Sequence, residues 1–422
     1  MAGLVEKAKE MESKAKSGHI KEATTLFDEI FEEMKKKSFT PNQRTMQCDL
    51  YSKIGRINNE KHSYDEAVLW TLKTFDFLDA YTTTKIQIEI CANSAVAFVR
   101  KNEFTKGKIL GERAVALAEK DFGSKSSMYA DALVAYSEYL EKTDQRQKSN
   151  DILQTALKIV ERQEGKESVA YARILSNLTF NNYNLQRGSR NSDYEEATAQ
   201  AHQAMKILTK NLGKNNFHLA APKRTLAAII REDAFEESSK KKKAELFIKA
   251  EKLEREVVEV CKRELGEFNG FTAKLMGNLG FTYQMMGKFA EAEKMFNNSM
   301  KVLVAIQGPE DVEVWRIHNR LAYLYNHGLE EFDKAERHYL RGIRILEKQF
   351  GRAYSQLQFD YSGLINLYKK TGQEAKMIEY FKIYEEWEKL QEEKKNTDDK
   401  KKEKEEDKSM EFKEIVQIIR NT

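Results

Sequence analysis

A pattern of small and large residues between positions 272 and 307 constrains the fold more than any other feature of the sequence. It is typical of two short amphipathic helices joined by a turn at Gly287. Gly280 and Ala292 are the small residues, and Phe296 is one of the large ones. Small side chains let two helices approach closely, while large ones fill the space toward a neighbouring pair. Because one hairpin cannot bury its apolar face alone, the pattern predicts further copies.

Copies do follow, at a spacing of about 42 residues. The residues that repeat the pattern in the next copy are Leu321, Ala322, Tyr325, Phe332, Ala335, Tyr339 and Gly342. A third copy contains Leu364, Tyr368 and Phe381, but Met377 replaces the small alanine, as expected of a terminal repeat. This spacing indicates tetratricopeptide (TPR) hairpins. With weaker matches toward the amino terminus, we predict an all-α, right-handed superhelical solenoid of about nine pairs over residues 1–394.

The carboxy-terminal segments differ in composition from the repeats. Residues 395–409 form a charged, low-complexity linker, for which an exposed helix and a disordered segment are both open interpretations. Residues 410–422 contain Phe412 and Ile415 at helical spacing, which predicts a short amphipathic helix. That helix either packs on the last repeat or binds a partner protein.

Composition excludes several classes of protein. The 422 residues have a formal net charge of only +4, which does not favour nucleic-acid binding. Cys48, Cys91 and Cys261 are odd in number and far apart, so we expect reduced thiols in a cytoplasmic protein. No apolar run is long enough for a signal peptide or a transmembrane segment.

The sequence contains no motif of known catalytic type. Phosphate-binding glycine loops, zinc-protease motifs and nucleophile elbows are all absent. His318, His327 and His338 are the only local group of histidines, and their spacing does not suit a metal site. We therefore expect a protein that is not an enzyme and that needs no cofactor or metal.

The first helix of each pair lines the concave face of such a solenoid, so its inward positions are the candidate binding residues. Those that we expect to contact a peptide are Lys274, Asn278, Arg316, Asn319, Arg320, Arg173 and Asn177. Aromatic residues such as Phe281 and Tyr323 lie among them, and no acidic residue occurs in this set. Asparagine amides can bind an extended peptide backbone, and arginine can bind a carboxylate. The alternative is an ordinary exposed helix surface.

Four stretches resemble the amyloid protein-binding protein 2 family, TPR adaptors related to kinesin light chains. They are DFGSKSSMYADAL from Asp121, GEFNGFTAKLMGNLG from Gly266, LAYLYN from Leu321 and FGRAYSQLQFDYSGLINLY from Phe350. The resemblance extends over roughly residues 61–387 and includes loops between repeats, which generic repeat similarity does not explain.

The resemblance implies a cytoplasmic adaptor that binds sorting signals in the tails of cargo proteins. It also implies association with microtubules or motor proteins during protein transport, and hence with the cytoskeleton. The family includes a substrate receptor of a cullin-2 ubiquitin ligase that recognises carboxy-terminal degrons. Its cullin contacts lie in a long region ahead of the repeats, whereas about 60 residues precede the matching segment here and read as repeats.

Three hypotheses for function follow. The leading one is a non-enzymatic adaptor that binds extended peptides or carboxy-terminal tails in the concave groove. The second is a cullin-2 substrate receptor that uses the same groove. The third is a structural or microtubule-associated scaffold that acts through the charged tail.

Overall fold

The computed structural model describes residues 2–36, 43–75, 83–187 and 193–401, and regular structure within these ranges is helical, with no strand. The eighteen α-helices are α1 Ala2–Lys16, α2 Ile20–Lys35, α3 Arg44–Glu60, α4 Tyr64–Phe75, α5 Thr84–Arg100, α6 Phe104–Phe122, α7 Ser127–Lys142, α8 Arg146–Glu164, α9 Val169–Gln186, α10 Glu195–Leu212, α11 Ala220–Glu236, α12 Lys240–Leu265, α13 Gly270–Met285, α14 Phe289–Gln307, α15 Val312–His327, α16 Phe332–Phe350, α17 Leu357–Lys370 and α18 Glu374–Lys401. This is the number that nine hairpins require, so the predicted TPR-type architecture is confirmed. None of the described helices is both long and apolar enough to cross a membrane.

The loops between hairpins share one local structure. Gly308 ends α14 with a φ of 86°, a conformation that residues with a Cβ rarely adopt. Three residues later, the side chain of Asp311 caps α15 by accepting a hydrogen bond from the backbone nitrogen of Glu313 at 2.8 Å. The same arrangement, a glycine with a positive φ followed three residues later by a capping side chain, recurs in four other loops. The pairs are Gly123 and Ser126, Gly165 and Ser168, Gly213 and Asn216, and Gly266 and Asn269. These five repeat boundaries are therefore set by local backbone chemistry.

Close helix contact within a hairpin is clearest between α13 and α14. A Cβ atom added at Gly280 would lie 2.8 Å from the ring of Phe296, which is fully buried. Ala292 is also fully buried. The structure thus confirms that the glycine lets the two helices touch and that the phenylalanine fills the space beside it.

Residue contacts divide the described chain into two compact units. Unit 1 comprises residues 2–233 and 259–265, and unit 2 comprises residues 234–258 and 266–401. In unit 1, the core contains a continuous cluster of buried aliphatic residues that includes Leu110 and Ala114. In unit 2, Phe296, Tyr339 and Tyr368 are among the largest fully buried side chains. Each unit therefore has an apolar core of its own.

The last hairpin is anchored through the first half of α18. The indole nitrogen of Trp387 donates a hydrogen bond to the carbonyl oxygen of Tyr354 at 3.1 Å, and the amide of Gln391 donates to that of Ala353 at 2.8 Å. α18 continues to Lys401, so the first part of the charged linker is helical. The remainder of that linker and the amphipathic helix expected at residues 410–422 lie outside the described residues.

Candidate peptide-binding site

Two first helices of unit 2, α13 and α15, carry most of the residues predicted to contact a peptide. Asn278 and Phe281 lie one turn apart on α13, and Asn319 or Arg320 and Tyr323 lie one turn apart on α15. Residues three or four positions apart share one side of a helix. The local helix geometry therefore gathers these side chains on one face.

A cavity of about 240 Å³ lies on this face. We call it the aromatic cavity, and its lining residues are Phe235, Phe281, Gln284, Met285, Asn319, Arg320 and Tyr323. The rings of Phe235 and Phe281 are 6.2 Å apart. Phe235 and Tyr323 are 42% and 45% exposed, so these two walls of the cavity are open to solvent. A cavity with apolar walls and a few polar groups suits a side chain of a bound ligand.

Arg320 and Asn278 contact each other at the edge of the aromatic cavity. The guanidinium of Arg320 donates a hydrogen bond to Oδ1 of Asn278 at 2.9 Å and lies 5.6 Å from the ring centre of Phe281. Both contacts hold the guanidinium in one orientation. The amide nitrogen of Asn278 has no partner among the described residues. This nitrogen is therefore available to a peptide carbonyl.

The side chain of Asn319 is hydrogen-bonded to a buried carboxyl group. Its amide nitrogen donates to Oδ1 of Asp360 at 2.9 Å, and the indole nitrogen of Trp315 donates to Oδ2 at 2.6 Å. Asp360 is fully buried. Burial raises the pKa of Asp360 to about 7, and the two donated hydrogen bonds act in the opposite direction. The side-chain amide of Asn319 thereby has a fixed orientation at the aromatic cavity.

Lys274 and Arg316 are not free cations, because both contact Glu313. The Nζ of Lys274 lies 3.1 Å from one carboxylate oxygen, and the Nε of Arg316 lies 3.2 Å from the other. Burial opposes the ionisation of Glu313, yet the two cations hold its pKa below the usual value. The face expected from the sequence contained no acidic residue. Glu313 corrects that expectation, since it neutralises part of the positive charge.

Arg173 and Asn177 belong to unit 1 and are described with that unit. Arg173 donates a hydrogen bond to Glu60 at 2.7 Å, 113 positions away in the chain. Burial opposes the ionisation of Glu60, but Arg173 and Arg56 are among the groups that lower its pKa to about 2. Arg173 is therefore already paired, whereas Asn177 lines a separate cavity of unit 1.

The sequence pattern missed two walls of the aromatic cavity. Phe235 comes from the last turn of α11, and Met285 is the last residue of α13. Asn326, near the end of α15, is fully buried and does not reach this face. Gln284 on α13 lines the cavity. Its side-chain oxygen is buried and has no hydrogen-bond partner among the described residues.

Two of the three histidines singled out in the sequence, His318 and His338, lie side by side. The Nδ1 atoms of His318 and His338 are 2.7 Å apart, and burial lowers the pKa of His318 to about 3 and that of His338 to about 4. A pair of neutral rings sharing one proton explains this distance. Among the described residues there is no group of three side chains able to hold a metal ion.

Comparison with known proteins agrees with this architecture. A family model described as tetratricopeptide repeat matches residues 242–303 and 271–348. Amyloid protein-binding protein 2 of Mus musculus and that of Rattus norvegicus are each 32% identical to this chain over 350 residues, which is 83% of the chain. The chain is therefore similar to amyloid protein-binding protein 2 over most of its described length, including the segment that matches the tetratricopeptide-repeat model. It spans 60% of the length of each of these relatives.

Solved structures with little sequence similarity share the fold of this TPR chain. A Rap protein complexed with competence and sporulation factor has a TM-score of 0.57 at 12% identity and covers 93% of this chain and 98% of its own. The apo form of the quorum sensor NprR from B. thuringiensis has the same TM-score and identity, covering 92% and 99%. Helical solenoids built of tetratricopeptide repeats are typically non-enzymatic protein-binding scaffolds.

Proposed function

We propose that this chain is an adaptor that binds an extended peptide of a partner protein along the α13 and α15 face of unit 2. The observation that supports this most strongly is the aromatic cavity, which combines exposed aromatic walls with the polar side chains of Asn319 and Arg320. An apolar peptide side chain inserts between Phe281 and Tyr323. This removes apolar surface from water, at about 25 cal/mol per Å² buried.

The polar groups around the aromatic cavity hold the peptide backbone. The free amide nitrogen of Asn278 donates to a peptide carbonyl. Arg320, Lys274 and Arg316 outnumber Glu313 at this face, so an acidic residue beside the inserted side chain adds affinity. The preferred ligand is therefore an extended segment with one large apolar residue and a nearby acidic residue.

In the cell, such an adaptor binds the cytoplasmic tails or sorting signals of cargo and takes part in transport along microtubules. The relationship to a protein named for amyloid binding supports a cargo-tail ligand. A test is co-sedimentation of the purified chain with microtubules, with and without a bound tail peptide. Failure to co-sediment would remove the microtubule role but leave peptide binding in place.

The alternative is that the groove reads carboxy-terminal degrons for a cullin-2 ubiquitin ligase. The resemblance to the family favours this alternative. The chain spans 60% of the length of the relatives that it matches. Affinity purification from cells separates the two hypotheses. Stoichiometric cullin-2 in the purified complex would favour the ligase receptor, and its absence would favour the adaptor.

Selection from a library of random short peptides tests the binding site itself. We expect the unaltered chain to enrich peptides with a shared large apolar residue, and Tyr323→Ala to lose this enrichment. Phe268→Ala is the matched control, because Phe268 is an exposed aromatic of unit 2 that does not line the cavity. Equal enrichment by the unaltered chain and by Tyr323→Ala would show that the aromatic cavity is not the site.

A further inference from the structure

Unit 1 contains a cavity of its own, with a volume of about 110 Å³. We call it the polar cavity, and its polar or charged lining residues are Arg100, Ser137, Glu138, Glu141, Lys142, Ser149, Ser176, Asn177, Asn181, Arg224 and Thr225. They come from α5, α7, α8, α9 and α11. Phe180 is among its few apolar walls. Such a composition suits a small polar ligand rather than an apolar side chain.

Most polar groups of this wall already have partners. Arg100 is ion-paired with Glu138, and Lys142 lies 3.5 Å from Glu141. The hydroxyl of Ser149 and the amide nitrogen of Asn181 are hydrogen-bonded at 2.7 Å. These contacts make the wall rigid and leave few groups to bind a ligand.

Arg224 is the exception among the cations. Its guanidinium lies 4.9 Å from the ring centre of Phe180, and it forms no hydrogen bond or salt bridge with a carboxylate among the described residues. Burial lowers the pKa of Arg224 and the positive charge of Arg100 lowers it further, while the more distant charges of Glu141 and Glu138 act in the opposite direction without restoring it. A half-buried cation without a direct ion pair is costly, and a bound anion offsets that cost.

Asn177 is the second unused group. Its side-chain amide has no partner among the described residues, although it lines the same cavity. It can donate two hydrogen bonds to an oxygen ligand. Arg224 and Asn177 therefore supply complementary donors from neighbouring first helices, α11 and α9.

We propose that the polar cavity binds a carboxylate group, with the Arg224 guanidinium as its counter-ion and the Asn177 amide as a further donor. The carboxylate belongs to an acidic side chain of a bound peptide or to a small organic acid. This site lies in unit 1 and does not depend on the aromatic cavity of unit 2.

The charge of the polar cavity selects a monoanion. Three cationic side chains and two carboxylates line it, so a single positive charge is uncompensated. A phosphate dianion would face repulsion from Glu138 and Glu141, whereas a carboxylate matches the excess charge and the planar guanidinium. The volume of about 110 Å³ is sufficient for a carboxylate group.

The test compares the thermal unfolding of the full chain in sodium acetate, sodium chloride and sodium phosphate at equal ionic strength and neutral pH. A ligand that binds only the folded state raises the unfolding temperature. We expect acetate to raise Tm by about 1–2 °C relative to chloride. Arg224→Gln should remove this difference, and Arg224→Lys should retain part of it.

Arg162→Gln is the matched control, since it removes one positive charge from an exposed position of unit 1. It should keep the full difference between acetate and chloride. Because each variant is compared with itself in two salts, a change in its intrinsic stability does not affect the result. An equal acetate effect in Arg224→Gln would overturn the proposal, as would an Arg224-dependent effect that is larger with phosphate.

A blocked pentapeptide with one glutamate, and its glutamine counterpart, distinguish the two sources of the carboxylate. A glutamate-specific rise in Tm larger than that with acetate at equal concentration supports a peptide side chain. A rise with acetate alone supports a small organic acid. No rise with either ligand contradicts carboxylate binding.

Discussion

The two units contain the same short motif and use it differently. Asn-Leu-Thr-Phe at 177–180 in unit 1 and Asn-Leu-Gly-Phe at 278–281 in unit 2 each lie on the first helix of a hairpin. In both units, an arginine from the next first helix lies against the phenylalanine ring. The guanidinium of Arg224 is 4.9 Å from the ring centre of Phe180, and that of Arg320 is 5.6 Å from that of Phe281.

The difference lies in what the arginine bonds to. Arg320 donates a hydrogen bond to Asn278, whereas Arg224 and Asn177 have no hydrogen-bond partner among the described residues. The neighbouring repeats also contribute different walls, mostly serine and charged side chains in unit 1 and mostly apolar ones in unit 2. The same motif therefore lies beside a polar cavity in one unit and an apolar cavity in the other, which is why we propose an anion site for the first and a peptide site for the second.

The largest effect on stability is expected from substitutions that give a hairpin of unit 2 the packing residues found in unit 1. Gly280 and Phe296 of unit 2 correspond to Thr179 and Ala201 of unit 1, and all of these residues are buried. Phe296→Ala should lower the free energy of unfolding by about 3–5 kcal/mol because it leaves a cavity. Gly280→Thr should cost about 1–3 kcal/mol through overpacking. Urea unfolding measures both changes.

The double variant sharpens this comparison. With the ring removed, the threonine occupies part of the space, so the combined loss should be smaller than the sum of the two single losses. Simple additivity would mean that the two positions do not share one packing space. Phe268→Ala serves as the control and should change stability by no more than about 0.5 kcal/mol.

A second prediction concerns the pH dependence of stability that arises from Asp360 of unit 2. Burial raises the pKa of Asp360 from 3.8 to about 7, so the folded state binds this proton more tightly than the unfolded state. The stabilisation is fully present below about pH 4 and is lost as pH rises through about 7. In the unaltered chain, the free energy of unfolding should decrease by on the order of 1–4 kcal/mol over that range because of this group. Asp360→Asn should remove the decrease. Urea unfolding between pH 4 and 8 measures it, and an unchanged profile in the variant would contradict this assignment.

A third prediction separates the two copies of the motif by the same substitution. Asn278→Ala should lower the affinity for a peptide enriched in the selection by about five- to tenfold, since it removes one hydrogen bond to the peptide backbone. Asn177→Ala should instead reduce the rise in Tm that acetate causes. Fluorescence polarisation with the labelled peptide measures the first effect. Asn298→Ala, at an exposed position of α14, is the control and should leave both readouts unchanged.

The smallest effect is expected from Glu313→Gln. Lys274 and Arg316 are 37% and 50% exposed in their side chains, so loss of their ion pairs should cost no more than about 1 kcal/mol. The freed cations should nevertheless increase the affinity for peptides with an acidic residue, measured by the same polarisation assay. A decrease would show that Glu313 itself contacts the ligand.

The repeat architecture could be predicted because each hairpin is specified locally. Gly280 and Phe296 are close in sequence, and their sizes alone indicate a tight helix contact. A glycine three residues before a capping residue, as in Gly308 and Asp311, marks the repeat boundaries and could also have been used. Such signals depend only on neighbouring residues.

The contacts of the proposed binding residues were harder to predict because their partners come from other repeats. Asn278, Asn319 and Arg320 were placed on the correct first helices, but the contacts of Asn319 with Asp360 and of Arg173 with Glu60 connect residues 41 and 113 positions apart. No local pattern shows such pairs. Sequence reasoning could therefore predict the helical face, but not which of its groups are already bonded.

Methyl NMR of the intact chain tests the central claim most directly. Met285 lines the aromatic cavity, whereas Met128 packs on the core of unit 1 and lines neither cavity. With labelled methionine methyl groups, a peptide enriched in the selection should shift the Met285 resonance in proportion to occupancy and leave that of Met128 unchanged. If the peptide binds while the Met285 resonance stays in place, the ligand lies elsewhere and the aromatic cavity is not the peptide site.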